Sequence, residues 1–489
     1  MAIGDPYAAL GLTRSATPDD IRSAYHSAAR RFHPDANPNP GASDEFKLVA
    51  EAYAILTDPA RRSAYDAGAA QSGSRPLLAA RVLVSRNPLP ASVGPQVLYA
   101  LLEIQPALQA DAPAAPVNLC IVIDRSTSMQ GPRLDQVKAA VLQVIDSLRE
   151  SDTFSVVAFS DRAEVIIPAH RSTVERTVSK AKVTTISAGG GTEILQGVLC
   201  GLTELHRHLS PSAVNHLLLL TDGRTYGDED DCLMLASLAA TDGISMSGLG
   251  IGDEWNDRFL DELTGRTGGT AAYSHSPEQV QSFIQERVRG LGGLYAERVN
   301  VQVTLDPGIS LQTVFRVSPE AGPVPLDQPL RLGSLPKDGD ALILLKFQLP
   351  PLPVGTHNIA RLRFYADVIS LGRRADRLAI DLALPAAKDP PPAPPPSPIA
   401  DALGRLSQYR MQERAWQAAA AGDMGGAAAV LKTLSTRLLA AGQMDLARVA
   451  LGEASRLETS TQLSEEVQKQ LKYGTRALIA APRGTGRSP

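Results

Sequence analysis

The segment NLCIVIDRSTSMQG, residues 118–131, decides how the centre of this chain folds. Leu119 to Ile123 is an unbroken apolar run that ends on Asp124 and a polar loop, and an apolar pattern of helical period follows from Leu134 to Leu148. A strand that is apolar on both faces belongs inside a parallel sheet, where helices cover both sides. The unit recurs in DTFSVVAFS from residue 152, VNHLLLLTDG from residue 214 and GISMSGLGIGD from residue 243, each set against an amphipathic helical pattern. Alternation of this kind predicts a doubly wound α/β domain over residues 115–292. Such sheets bind their ligands beyond the C-terminal ends of the strands.

Three polar loops fall at those strand or helix edges. The first, DRSTS, holds Asp124, Ser126 and Ser128; the second, AGGGTE, holds Thr192; the third, TDG, holds Asp222. Two carboxylates and three hydroxyls make an all-oxygen donor set, which suits Mg²⁺ or Mn²⁺ and leaves positions for water or an incoming carboxylate. The glycines at 189–191 give the second loop the freedom to approach a metal. Taken in order, the three loops resemble the metal-ion-dependent adhesion site of von Willebrand factor type A domains. That resemblance implies binding rather than turnover. Ser126 and Ser128 would ligate directly, Thr192 in one state of the site, and Asp124 and Asp222 directly or through water. A Glu or Asp of a partner protein would complete the sphere.

A second informative stretch lies near the N-terminus. Thr17, Pro18, Asp19 and Asp20 form a helix start, with a Thr cap, proline at the first helical position and acids at the positive end of the dipole. Ile21, Tyr25, Ala28 and Phe32 then recur on one face, and Phe46, Val49, Tyr53 and Leu56 form the inner stripe of a second helix. Between the two helices stands RRFHPDANPNP, residues 30–40, with His33, Pro34 and Asp35 at the tip. Arg22, His26 and Arg30 make a cationic ridge leading to it.

Together with DPYAALGL before and EFKLVAEAYAILTDPARRSAYD after, this stretch resembles the J-domain of DnaJ-type cochaperones, over residues 1–70. The resemblance implies docking to a DnaK-type chaperone, with His33, Pro34 and Asp35 as the trigger of ATP hydrolysis and Arg22, His26, Arg30 and Arg31 as steering contacts. Ser23, Ser27 and Ala36 stand where the family often carries cations, so the ridge is thin. The alternative is a degenerate J-domain on a scaffold or assembly factor whose A domain works with a MoxR-type AAA+ ATPase.

The flanks at 76–110 and 297–385 are short alternating segments separated by Pro, Gly and Asp, a pattern of β-sandwiches. Either the two flanks form one sandwich with the α/β domain inserted in it, or a strand pair precedes and a separate sandwich follows. KDPPPAPPPSP lies in a proline-rich linker spanning 386–398. Residues 399–481 read as a helical region in which AAGDMGGAAAVL is echoed by AAGQMDLARVAL, with Gly422 and Gly442 as helix stops. Residues 482–489 read as a disordered tail. The fold class expected is therefore multidomain: an all-α J-domain, an α/β domain inserted in or flanked by a β-sandwich, and a C-terminal α-helical region.

Composition narrows the function. A chain of 489 residues requires several domains. Its net charge of -4 offers no general attraction to nucleic acid or anionic lipid, so neither is an expected partner. The three cysteines are too far apart for a zinc or redox pair. No Walker lysine loop, G-x-S-x-G elbow or placed general base is present, so an enzyme is not expected. With no signal peptide or membrane-length apolar run at hand, the cytoplasm is the expected location.

Overall fold

The computed structural model of the chain describes residues 5–13, 15–39, 41–71, 77–107, 114–171, 176–225, 227–274, 276–457 and 464–480; the tail at 482–489 lies outside them. The chain divides into two compact units, one of Met1–Ala112, Tyr295–Pro319 and Pro323–Ile399, the other of Pro113–Leu294, Glu320–Gly322 and Ala400–Pro489. Among the described residues no helix is long and apolar enough to cross a membrane.

The first unit opens with four helices, α1 (Pro6–Leu10), α2 (Pro18–Phe32), α3 (Ala42–Thr57) and α4 (Pro59–Gln71). Thr17 and Asp20 close a reciprocal capping box at the start of α2: the Asp20 amide donates to Thr17 Oγ1 and the Thr17 amide to Asp20 Oδ2. Ile21, Ala28 and Phe32 of α2 are buried against Val49, Ala52 and Leu56 of α3, and Tyr25 stacks on Tyr53 at 4.1 Å. The strands β1 (Leu78–Val84), β2 (Leu89–Pro90) and β3 (Gln96–Pro106) come next.

The chain then enters the second unit. Here β4 (Val117–Asp124), α5 (Pro132–Ser147), β5 (Thr153–Phe159), β6 (Ala163–Arg171), α6 (Arg176–Thr184), α7 (Ile194–His206), β7 (Val214–Thr221), α8 (Glu229–Asp242), β8 (Ile244–Ile251), α9 (Asp257–Gly265), β9 (Ala271–Ser274) and α10 (Pro277–Leu291) build one sheet with its covering helices. The strand order is β6-β5-β4-β7-β8-β9, parallel throughout except for β6. All residues of β4, β5 and β7 are buried, as their unbroken apolar runs require. From β4 the chain passes to β5 on one side, and from β7 to β8 on the other. The crevice between β4 and β7 is thus the switch point at which such sheets take ligands. Helix α7 lies close on the sheet because Gly197 and Gly201 lack side chains: a Cβ on Gly197 would come within 2.6 Å of the Phe159 ring, and one on Gly201 within 2.6 Å of Val122.

Returning to the first unit, β10 (Leu294–Leu305), β11 (Ser310–Ser318), β12 (Gly322–Val324), β13 (Leu330–Pro336), β14 (Ala341–Leu349), β15 (Gly355–Val368) and β16 (Arg373–Ala387) complete two five-stranded sheets, β1-β3-β14-β11-β12 and β13-β10-β15-β16-β2. The pairing of β3 with β14, Leu101 opposite Leu344, joins the two flanks in one sheet. The α/β domain is therefore inserted in the sandwich, between β3 and β10. Leu98, Leu102, Ile343 and Phe347 of one sheet and Val301, Val303, Leu362 and Phe364 of the other share the core.

Four helices end the described chain: α11 (Ser397–Ala420), α12 (Met424–Ala440), α13 (Met444–Leu457) and α14 (Glu465–Ala480). Gly422 and Gly442, at φ +85° and +76°, take the left-handed conformation that ends α11 and α12. Because β16 runs to Ala387 and α11 starts at Ser397, the proline-rich connection is shorter than the expected 386–398.

The helical N-terminal domain is fixed to the sandwich by a partly buried polar cluster. Arg31 Nε donates to Asp306 Oδ1 at 2.6 Å and its Nη1 to Asp381 Oδ1 at 2.7 Å. Asn39 Nδ2 donates to the carbonyls of Leu305 and Asp306 at 3.2 and 3.0 Å, and Asn37 Nδ2 to that of Leu305 at 3.1 Å. Glu45 of α3, 2% exposed, is paired with Arg361 and Arg363 of β15, themselves 3% and 7% exposed. Removing one partner of such a pair leaves charge buried without compensation, which costs about 3–5 kcal/mol. Glu45→Ala is expected to lower the opening free energy of α3 and β15 amides in hydrogen exchange by an amount of this order. A loss below ~1 kcal/mol would mean that water reaches the arginines.

His216 sits in the middle of β7, buried, with Nδ1 2.7 Å from Ser245 Oγ. Burial, reinforced by Arg287 and opposed by Glu320, pushes its pKa down to about 3. The imidazole stays neutral in the fold, whereas the unfolded chain takes up the proton near pH 6.5. Its contribution is thus fully present above about pH 6.5 and is lost on acidification towards 3, at about 1.4 kcal/mol per pH unit. His216→Gln is expected to flatten that slope in denaturation series at pH 4–7; an unchanged slope would refute the assignment.

Candidate functional site

Asp124 is the last residue of β4, and the register of β4 with β7 sets Ile123 opposite Leu220. Asp124 and Asp222 are therefore neighbours at the two strand ends, and both are 0% exposed. Asp124 Oδ1 accepts from the Ser126 amide at 2.8 Å, and its Oδ2 from Thr221 Oγ1 at 2.7 Å. Ser126 Oγ lies 3.1 Å from Ser128 Oγ, and Ser128 Oγ donates to Asp222 Oδ1 at 2.7 Å. Four of the five residues expected to hold a metal are thus joined by hydrogen bonds.

The fifth, Thr192, arrives on the second loop, which is laced to the first. The Gly189 amide donates to the Arg125 carbonyl at 2.7 Å, and the Thr127 amide to the Gly190 carbonyl at 3.1 Å. Gly190 turns at φ +90°, where a Cβ would come within 2.6 Å of Asp161 Oδ2. This tight turn brings Thr192 against Gly223, the residue after Asp222: a Cβ on Gly223 would lie 2.8 Å from Thr192 Oγ1.

Two buried carboxylates side by side need compensation. Burial is the chief cause that pushes Asp124 up to about 6, and the charge of Asp222 adds to it, against the hydrogen bonds from Ser126 and Thr221. Among the described residues no three His, Cys, Asp or Glu side chains gather as a metal site. The oxygens available here are two carboxylates with hydroxyls beside them. Such a hard, all-oxygen donor set fits a small divalent cation.

Two participants lie outside the five residues expected from the sequence. Thr221, within the quoted TDG motif, supplies the second donor to Asp124. Arg133 donates through Nη1 to Asp222 Oδ2 at 2.7 Å and to the Ser128 carbonyl at 3.3 Å. A signal for it was present: a cation in the first turn of α5 opposes the helix dipole and calls for an anion nearby.

At the other candidate site, His33 caps α2 and accepts through its carbonyl from the amides of Ala36 and Asn37 at 3.0 and 2.9 Å. Its ring meets Phe46 edge-on at 5.3 Å. His33, Pro34 and Asp35 stand at the surface, as do Arg22, His26 and Arg30. Arg31 departs from the expected ridge. Its side chain is 12% exposed and engaged by Asp306 and Asp381, so it is a structural contact of the sandwich and not a steering one.

Residues 5–66 match the family described as DnaJ domain, and residues 118–286 match von Willebrand factor type A domain. The chain carries both domains. Residues 397–481 match a third family, "Sll0103-like, C-terminal alpha-helical domain". The chain is 29% identical over 379 residues to "Uncharacterized protein sll0103" of Synechocystis sp., covering 75% of this chain and 89% of that one. Over 62 residues it is 52% identical to "Chaperone protein DnaJ" of Methanosarcina thermophila, which is 13% of this chain and 16% of that protein. A solved structure, "von Willebrand factor type A from Catenulispora acidiphila", superposes with a TM-score of 0.66 at 19% identity, covering 83% of this chain and 98% of that one. At that identity the likeness concerns the fold.

Within the type A domain, Thr221 is the side chain that donates to Asp124 Oδ2, while the Ser126 amide holds Oδ1. Thr221→Val is expected to lower metal-free stability by about 1–3 kcal/mol, the cost of a buried acceptor left without its partner. Thermal denaturation in EDTA reads it; no change would mean that the hydroxyl does not restrain Asp124.

Proposed function

We propose that this chain is a cochaperone-type adapter. The DnaJ domain docks a DnaK-type chaperone through His33, Pro34 and Asp35, assisted by Arg22, His26 and Arg30. The type A domain takes an acidic side chain of a client protein at a Mg²⁺ or Mn²⁺ ion held by Asp124, Ser126, Ser128, Thr192 and Asp222. When bound, such an ion offers a Lewis-acidic position to a carboxylate. The chain's own residues hold and orient: Thr221 and the Ser126 amide fix Asp124, and Ser128 fixes Asp222. No turnover is assigned to this site, and an intracellular setting goes with the three free thiols.

The observation that carries the reading is the presentation of the His-Pro-Asp turn. Its three side chains face solvent while Asn37 and Asn39, just beyond it, are hydrogen-bonded to the sandwich. A stiff exposed turn with an aspartate acceptor and a cationic ridge beside it suits an acidic, arginine-bearing partner. The engagement of Arg31 leaves the ridge thinner and gives some weight to the second reading, a type A scaffold serving an AAA+ ATPase with an inactive DnaJ domain.

ATP hydrolysis by a purified DnaK-type chaperone separates the two. The full chain is expected to stimulate it severalfold and His33→Gln to abolish the effect; no stimulation at any concentration favours the scaffold. In parallel, pull-downs with wild type and Asp124→Ala, with and without chelator, are expected to lose the same client proteins upon mutation and upon chelation. Clients retained in both cases would refute metal-dependent binding.

A further inference from the structure

The guanidinium of Arg133 reaches the metal-site carboxylate from the rim. Its Nη1 is 2.7 Å from Asp222 Oδ2, while Ser128 Oγ occupies Oδ1 at 2.7 Å. The arginine side chain is 35% exposed and the carboxylate wholly buried. Gly252, at φ +67°, makes room for it, since a Cβ there would lie 2.7 Å from Arg133 Nη2. The Ser128 carbonyl holds the same Nη1 at 3.3 Å. The side chain is therefore built into the rim rather than resting on it.

The formal charges of this arrangement do not cancel. Asp124 and Asp222 supply two negative charges, and Arg133 returns one positive charge to the same cluster. A divalent cation then meets a site with a single net negative charge. One further carboxylate from outside brings the cluster to neutrality.

Given the metal binding proposed for this site, on which the inference rests, we infer that Arg133 sets its specificity by coupling the two ligands: it keeps the metal weakly held until a carboxylate joins it. The ligand selected is an anionic carboxyl group, a Glu or Asp side chain or a chain terminus, over a neutral amide or hydroxyl. Coupling is reciprocal, so the metal tightens the carboxylate by the factor with which the carboxylate tightens the metal. A cationic side chain resident in the site also stabilises the metal-free fold, because it gives the buried Asp222 a counter-charge in addition to the Ser128 hydroxyl.

The test is calorimetric titration of Mg²⁺ into the EDTA-stripped full chain, with acetate or with chloride in the buffer, for wild type, Arg133→Gln and Arg133→Lys. In wild type, acetate is expected to tighten Mg²⁺ by about tenfold, within the usual range of such couplings. Arg133→Gln is expected to bind Mg²⁺ about tenfold tighter in chloride, to gain little from acetate, and to melt lower in EDTA with recovery on Mg²⁺. Arg133→Lys keeps the charge and is expected to follow wild type. Weaker or unchanged Mg²⁺ binding by Arg133→Gln overturns the inference. So does a wild type indifferent to acetate, whatever the variants do. A wild type that takes up no Mg²⁺ in either buffer brings down the metal-binding reading itself, a result distinct from both.

Discussion

Two carboxylates buried next to each other at the ends of adjacent parallel strands are the constraint on which the functional end of the type A domain depends. Burial, and after it the charge of Asp222, opposes ionisation of Asp124. Around Asp124 and Asp222 the neighbouring donors act to hold that charge: the Ser126 amide and Thr221 hydroxyl on one carboxylate, the Ser128 hydroxyl and the Arg133 guanidinium on the other. The loops take their shape from delivering these donors to one spot. The sheet topology makes the spot available, since the connections from β4 and β7 run in opposite directions and leave the crevice between them open.

A second electrostatic arrangement governs the N-terminal domain. The end of α2 and the start of α3, which flank the His-Pro-Asp turn, meet the sandwich, as does α1, whose Ala8 carbonyl accepts from Arg361. Arg31, Asn37, Asn39 and Glu45 form a row of polar contacts along Leu305, Asp306, Arg361 and Arg363. Buried ion pairs give geometric definition more surely than net stability. Here the definition falls on the turn, whose exposed face is presented while its distal side is held. The domain is thus part of one body with the sandwich and not a bead on a tether.

The C-terminal helices are tied to the type A domain in a comparable way. Lys469 of α14 donates to the carbonyl of Trp255 at 2.7 Å, and Arg476 forms a two-pronged pair with Asp261 at 2.6 and 2.7 Å. Lys472 joins the same carboxylate, and Tyr473 packs with Trp255 and Tyr273. Although burial is the largest single influence on Asp261 and raises its pKa, Arg476 and Lys472 together outweigh it and leave the carboxyl below its ordinary value. The segment from Gly252 to Trp255, which borders Arg133, is therefore braced from outside the type A domain.

How much of this was legible depended on the range over which the information acts. Capping at Thr17, the helix stops at Gly422 and Gly442, and the strand-loop-helix grammar around Asp124 are local, because propensities, dipoles and apolar periodicity are set within a few residues. The loops carrying Asp124, Ser126, Ser128, Thr192 and Asp222 were identifiable since each sits at a strand or helix end that its own flanking pattern announces. Only tertiary structure decided that β3 pairs with β14, that Arg133 lies across Asp222, and that Arg31 belongs to the sandwich. Those are encounters between segments up to hundreds of residues apart. A hydrogen bond or ion pair formed at such separation depends on where the packed core places its two ends, and no local pattern encodes that placement.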